Sequence, residues 1–224
     1  VTDIHLANRN MYPTDYKQFR DGWVTEVMTA YAGRDDVYCL NLGDFSFDAY
    51  WYSRNFDITH VSEQIAGLPF QFWSTMGNHD NDGATIPNES TDFNATKPYR
   101  EAFGPTYYSF NIGKQHYIVL DNLIMKKEGN ELTAYDQGLT DEIWQWLQND
   151  LMYVDRSTTI MLAAHSPMFM GNNMSERSKH AQGYRIDYAN LFAKYAKVHA
   201  WAGHSHTTFN YNYPESDLRK NIEV

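Results

Sequence analysis

Residues 68–76 read LPFQFWSTM and run straight into Gly77-Asn78-His79-Asp80. The apolar run predicts a buried strand, and Gly77 ends it where a sharp turn suits. Asn78, His79 and Asp80 then project from a strand end, where α/β sheets place their sites. Asn offers a neutral oxygen ligand, His a titratable nitrogen, and Asp a carboxylate able to orient that His. Alone, the tetrapeptide is equally compatible with a plain turn.

Four further polar clusters change that balance. Asp3-Ile4-His5 opens the chain, and Gly43-Asp44 follows the apolar run 37–42. His165 follows the run 159–164, and Gly203-His204-Ser205-His206 follows the run 198–202. The tetrapeptide and three of these clusters directly follow a strand-like run. The first lacks an upstream strand, so the sequence is expected to continue before Val1, and nothing at Glu223-Val224 marks an obvious stop.

Composition bounds what such a constellation can do. The 224 residues, 42% hydrophobic, suit a single domain over 1–224 with a sizeable core. No stretch approaches the roughly 18 apolar residues of a membrane span. The net charge of −10 argues against general nucleic-acid binding, which uses a basic face. An acidic protein can still act on phosphates where bound cations reverse the local sign. Cys39 is the single cysteine, which excludes an internal disulfide and a multi-thiolate metal site. Inside VYCLNL it reads as a small buried hydrophobe.

The remaining patterns predict strands alternating with helices. Residues 14–31 carry Phe19, Trp23, Val27 and Ala30 on one helical face, and 57–66 carry Ile58, Val61 and Ile65. Strands are expected over 37–42, 68–76, 159–164 and 198–202, and helices over 139–151 and 186–195. Thr140 is the expected N-cap of the first of these two helices. Gly113-Lys114 between 107–112 and 116–120 signals a hairpin. Segments 81–97 and 167–184 read as long loops, and the Asn88, Asn94 and Asn173 sequons within them read as chance matches. The class is α/β with a mixed sheet.

Seven side chains make a nitrogen and oxygen ligand set: Asp3, His5, Asp44, Asn78, His165, His204 and His206. One ion of four to six coordination does not need seven protein ligands, whereas two ions sharing a carboxylate do. This donor mix suits Mn, Fe or Zn better than Ca or Mg. Paired ions roughly 3.5–4 Å apart clamp the attacking and leaving oxygens of a phosphoryl displacement. His60, His116, His180 and His199 lie outside the pattern and read as structural or solvated.

In this order, DxH, GD, GNHD and GHxH resemble the calcineurin-like metallophosphoesterase family over almost the whole chain. The stretch from Phe103 to Phe110, followed by His116 to Asp121, looks like a bacterial, exported subgroup with additional domains. The resemblance implies a four-layer αββα sandwich of two mixed sheets. It implies Asp3, His5 and His206 on a first metal and Asn78, His165 and His204 on a second, with Asp44 bridging. It also implies that His79 faces the substrate with Asp80 behind it, and that a metal-bound hydroxide attacks phosphorus. The expected activity is hydrolysis of a small phosphomonoester or phosphodiester. Tyr50 and Trp51, shortly after Asp44, could stack on a base or sugar or simply cover a core edge. The rival reading is a catalytically weak, metal-containing binding module of the same fold. A dinuclear hydrolase of carboxyl or amide bonds is a third reading, opposed by the order of the motifs.

Overall fold

The computed structural model describes residues 1–6, 18–47, 57–82, 92–126, 134–169 and 188–224. Strand β1 (Tyr38–Asn41) pairs in parallel with β2 (Gln71–Ser74). Residues 1–6 run along the other edge of β1 and its continuation. Val1 N donates to Leu40 O at 3.0 Å and Leu42 N to Val1 O at 2.8 Å. The pairing continues through Asp3 N to Gly43 O at 3.0 Å and Leu6 N to Phe45 O at 2.7 Å. The first cluster is therefore held by main-chain pairing on both sides of Asp3.

The larger sheet contains β3 (Tyr108–Ile112), β4 (Gln115–Leu120), β7 (Thr159–Ala164), β8 (Lys197–Trp201) and β9 (Ile222–Glu223), in that spatial order. Only β3 and β4 are antiparallel, joined at Gly113-Lys114 as the sequence predicts. Between β4 and β7 in the chain, β5 (Leu123–Lys126) and β6 (Ala134–Gln137) form a separate antiparallel pair.

The pleat explains how the two main sheets meet. Tyr38 and Trp73 lie on one face of β1/β2, and Cys39 and Phe72 on the other. Trp73 stacks on Phe110 with ring centroids 4.4 Å apart, and the Tyr38 and Tyr117 hydroxyls are hydrogen-bonded. Tyr108 OH donates to Ser74 O at 3.0 Å. Cys39 is buried, which raises its thiol pKa to about 11 and leaves it an inert hydrophobe.

Helices cover the outer faces. A π-helical segment, Gln18–Val24, runs into α1 (Thr25–Ala30). Phe19 and Val24 are its buried residues, five apart, as an i to i+5 winding requires. The α-helical spacing read from the sequence instead points to Val27 and Ala30, which the structure leaves half-buried and exposed. In α2 (Ile58–Ile65), Asp57 caps the N-terminus and Ile58, Val61 and Ile65 are buried. These apolar residues join Phe45, Met76 and Tyr99 in one core. Beyond the larger sheet, α5 (Asp141–Met152) is capped by Thr140, which accepts from Ile143 N at 3.2 Å. With helix α6 (188–192) it buries Ile143, Leu147 and Phe192 against Ile118, Leu162 and Val198. The result is the αββα layering expected from the resemblance.

Several local expectations needed correction. The run 68–76 is a strand over Gln71–Ser74: Pro69 carries no N–H for a ladder near its start, and past its end Thr75 N still donates to Asn41 O at 2.9 Å. The polar segment 81–97 is not one loop: α3 (Asp92–Ala95) starts within it, and α4 (Lys97–Phe103) begins at its end. His60 lies in α2, His116 in β4 and His199 in β8, each outside the ligand constellation. His116 links Asn111 Oδ1 and Asp150 Oδ2, each at 2.8 Å, a polar tie between the hairpin and α5. His180 lies outside the described residues.

Candidate metal centre

Parallel strands deliver polar side chains from their C-terminal ends, the usual place for a site in such sheets. Asp44 follows β1, Asn78 follows β2, His165 follows β7, and His204 and His206 follow β8. Asp3 and His5 come from the segment beside β1. Among the described residues, five non-glycine residues have positive φ: Asp3, His5, Asp44, His204 and His206, at 51° to 66°. All five are sequence-predicted ligands. Left-handed backbone costs an L-residue about 1–2 kcal/mol, so the fold stores strain at the positions that aim these side chains.

Two donor groups result. Asp3, His5, Asp44 and His206 make one, Asp44, His165 and His204 the other, and Asp44 belongs to both. In the first, His206 Nε2 lies 3.2 Å from Asp3 Oδ1 and 3.4 Å from His5 Nε2. Asp44 Oδ2 is 3.9 Å from His5 Nε2. In the second, His165 Nε2 lies 3.1 Å from Asp44 Oδ2 and 3.2 Å from His204 Nδ1. Asn78 Oδ1 completes this group, 3.2 Å from His165 Nε2 and 3.0 Å from His204 Nδ1.

The protonation pattern makes this convergence informative. His165 Nδ1 donates to Leu42 O at 2.8 Å, so neutral His165 presents a lone pair at Nε2. That lone pair then faces a carboxylate oxygen and an amide oxygen, an arrangement that needs a proton or a cation between them. Where no cation lies there, a proton on His165 Nε2 fills that place: against burial, Asp44 raises the His165 pKa, and against burial too the hydrogen bond and charge of protonated His165 hold Asp44 at about 2. Burial lowers His5 and His204, keeping imidazole lone pairs available. A cation about 2.0–2.2 Å from each donor separates neighbouring donors by roughly 3.0–3.5 Å. Most of the distances above fall in that range, so the residues present fit bound cations of the nitrogen and oxygen type.

His79 and Asp80 part company in the structure. His79 N donates to Asp44 Oδ1 at 2.9 Å, and its ring stacks on Phe47 and meets His5 edge-on. Asp80 is fully buried and accepts from Ser46 N at 2.7 Å, Ser46 Oγ at 3.0 Å and Gly77 N at 2.9 Å. Its oxygens thus brace the two loops that carry Asp44 and Asn78. The imidazole-orienting contact expected from the sequence is replaced by this bracing, because main-chain N–H groups surround the buried carboxylate.

Three residues escaped the sequence reading. Phe47 lies against both His5 and His79, and its aromatic surroundings in the sequence were the available signal. Tyr135 meets the His204 ring edge-on at 5.9 Å, and Gln137 Nε2 lies 3.1 Å from His204 Nε2. Neither carried a local signal. Tyr50 and Trp51, the expected substrate contacts, lie outside the described residues.

Gly77 serves close approach instead of a special turn conformation. A Cβ there would overlap Asp44 N and Oδ1. Gly77→Ala is expected to destabilise the fold by about 2 kcal/mol or more, roughly 4–8 °C in melting temperature at this size. Thermal denaturation checks this, and a wild-type melting temperature would contradict the packing described.

The calcineurin-like phosphoesterase family model matches residues 1–208. The chain is 29% identical over 179 residues to probable purple acid phosphatase 20 of Arabidopsis thaliana, covering 76% of this chain and 39% of that protein. It is 32% identical over 94 residues to purple acid phosphatase 13 of the same plant, covering 42% of this chain and 15% of that protein. The chain therefore spans well under half the length of these curated relatives. A solved dimetal phosphatase from Danio rerio superposes with a TM-score of 0.67 at 12% identity, over 100% of this chain and 84% of that one. A purple acid phosphatase from yellow lupin (Lupinus luteus) seeds gives 0.57 at 17% identity, over 93% and 37%. At these identities the superpositions establish the fold. Motif order, strand-end geometry and a family match across most of the sequence agree: the chain belongs to the calcineurin-like phosphoesterase family.

Proposed function

We propose that this chain hydrolyses small phosphate esters with two bound cations. Asp3, His5 and His206 hold the first, Asn78, His165 and His204 the second, and Asp44 is shared. The observation that carries this reading is the membership of Asp44 in both donor groups. When bound, cations of the Mn, Fe or Zn type supply Lewis acidity that activates water as the nucleophile and neutralises phosphoryl oxygens.

The chain's own residues do the rest. The αL backbone at five ligands aims them before anything binds, so little reorganisation remains. Asp44 also fixes the main chain at His79. His79, packed between Phe47 and His5, holds its ring near the donor groups and gives a proton to the leaving oxygen. Asp80 keeps the two loops in register through Ser46 and Gly77. Among the described residues no helix is long and apolar enough to cross a membrane. Export and further domains belong to this proposal through the Phe103–Phe110 stretch, whereas the two relatives above are plant proteins.

The test strips the protein with chelator, restores Mn, Zn or Fe separately, and assays a chromogenic phosphomonoester beside the matching phosphodiester. Turnover should fall about 10³-fold or more on stripping, since Lewis-acid stabilisation is worth several kcal/mol, and return with metal. Activity indifferent to chelation sinks the reading. Two bound cations per chain without turnover on either ester would favour the binding module.

A further inference from the structure

We propose that Gln137 is the positioning residue for His204, holding the ring and, with its amide oxygen turned to Nε2–H, supporting the tautomer that leaves Nδ1 free for the second cation. The inference rests on the dinuclear reading above and extends it to a residue outside the ligand set.

Gln137 ends β6, and Tyr135 precedes it by two residues on the same strand. Residues two apart on a strand face the same side, and both touch His204. Tyr135 meets the ring edge-on at 5.9 Å, and the Gln137 amide lies 3.1 Å from Nε2. The opposite ring nitrogen, Nδ1, lies 3.0 Å from Asn78 Oδ1 and 3.2 Å from His165 Nε2. His204 thus has one nitrogen in the ligand cluster and one on β6. The β5/β6 pair, which belongs to neither main sheet, acquires a role as the wall behind this ligand.

The chemistry of the amide decides what Gln137 can do. An amide nitrogen only donates and an amide oxygen only accepts. With Gln137 Nε2 facing the ring, His204 Nε2 accepts and Nδ1 carries the proton, which Asn78 Oδ1 can receive. A cation at Nδ1 requires the other tautomer, with the proton on Nε2. A half-turn of the nearly isosteric amide then presents Oε1 to that N–H. Gln137 is buried beside the half-buried ring, which makes its amide the near partner of Nε2. Metal-ligating histidines generally donate their other N–H to such a partner, and losing it costs about 10–100-fold in metal affinity.

The experiment compares Gln137→Met with Gln137→Glu by titrating Co²⁺ into metal-free protein and following its ligand-field absorption and binding heat. Gln137→Met keeps the side chain's length but cannot accept strongly. It should weaken one of the two binding events about 10–100-fold and leave the other near wild type. Gln137→Glu, an acceptor from either oxygen, should restore the weakened event. A merely structural role would weaken both events or lower the metal-free melting temperature, and rescue would fail. Two wild-type affinities in Gln137→Met overturn the assignment while the dinuclear reading stands. Wild-type protein that never takes a second Co²⁺ overturns both.

Discussion

Asp44→Asn is expected to lose at least one bound cation and about 10³-fold or more of the proposed turnover. The magnitude follows from Lewis-acid stabilisation worth several kcal/mol, with each 1.36 kcal/mol counting tenfold. Among the described residues Asp44 is the one side chain in both donor groups, so under the proposed assignment its loss touches both cations, whereas that of any other ligand touches one. Asn is nearly the same size and keeps an oxygen where Asp44 Oδ1 accepts from His79 N. The loop should therefore hold, and circular dichroism should be unchanged. Metal analysis beside the ester assay is the check. Full occupancy with near-normal turnover would show that Asp44 is not the shared ligand.

His79→Ala is expected to lower kcat about 10²–10⁴-fold, the usual range for a positioned proton donor, while metal content stays at the wild-type level. His79 is absent from both donor groups; its ring instead packs on Phe47 and His5. The loss should be larger for alkyl esters, whose leaving oxygens need a proton, than for nitrophenyl esters, whose leaving groups do not. An equal loss on both would assign His79 to charge stabilisation alone. A variant that loses metal as well would make His79 a ligand and remove it from proton transfer.

The contrast between these two residues shows where sequence reading works. The strand-to-ligand adjacency is local: a buried apolar run ends, and the next residues must be polar and aimed at a common point. The strand-end placement of Asp44, Asn78, His165 and His204 was legible for that reason, and their order along the chain carried the family resemblance. The buried faces of α2 and α5 were legible from their period, and the caps Asp57 and Thr140 sit where they satisfy otherwise unpaired N–H groups.

What remained illegible depends on contacts between distant positions. Gln137 and His204 are 67 positions apart, and Ser46 and Asp80 are 34 apart. No spacing rule reaches across such separations. Asp80 looked like the partner of its neighbour His79, yet burial turned its oxygens to the main chain of Ser46 and Gly77. The π-helical winding at Gln18–Val24 moved the buried face away from its α-helical expectation, because core packing overrode the local period. The sequence by itself determined the layered α/β class, the seven candidate ligands and the strand-end positions of Asp44, Asn78, His165 and His204, since these follow from local alternation and side-chain chemistry. Only the tertiary structure decided which oxygens and nitrogens face one another and that β6 stands behind His204. Those follow from packing elements that the chain order does not bring together.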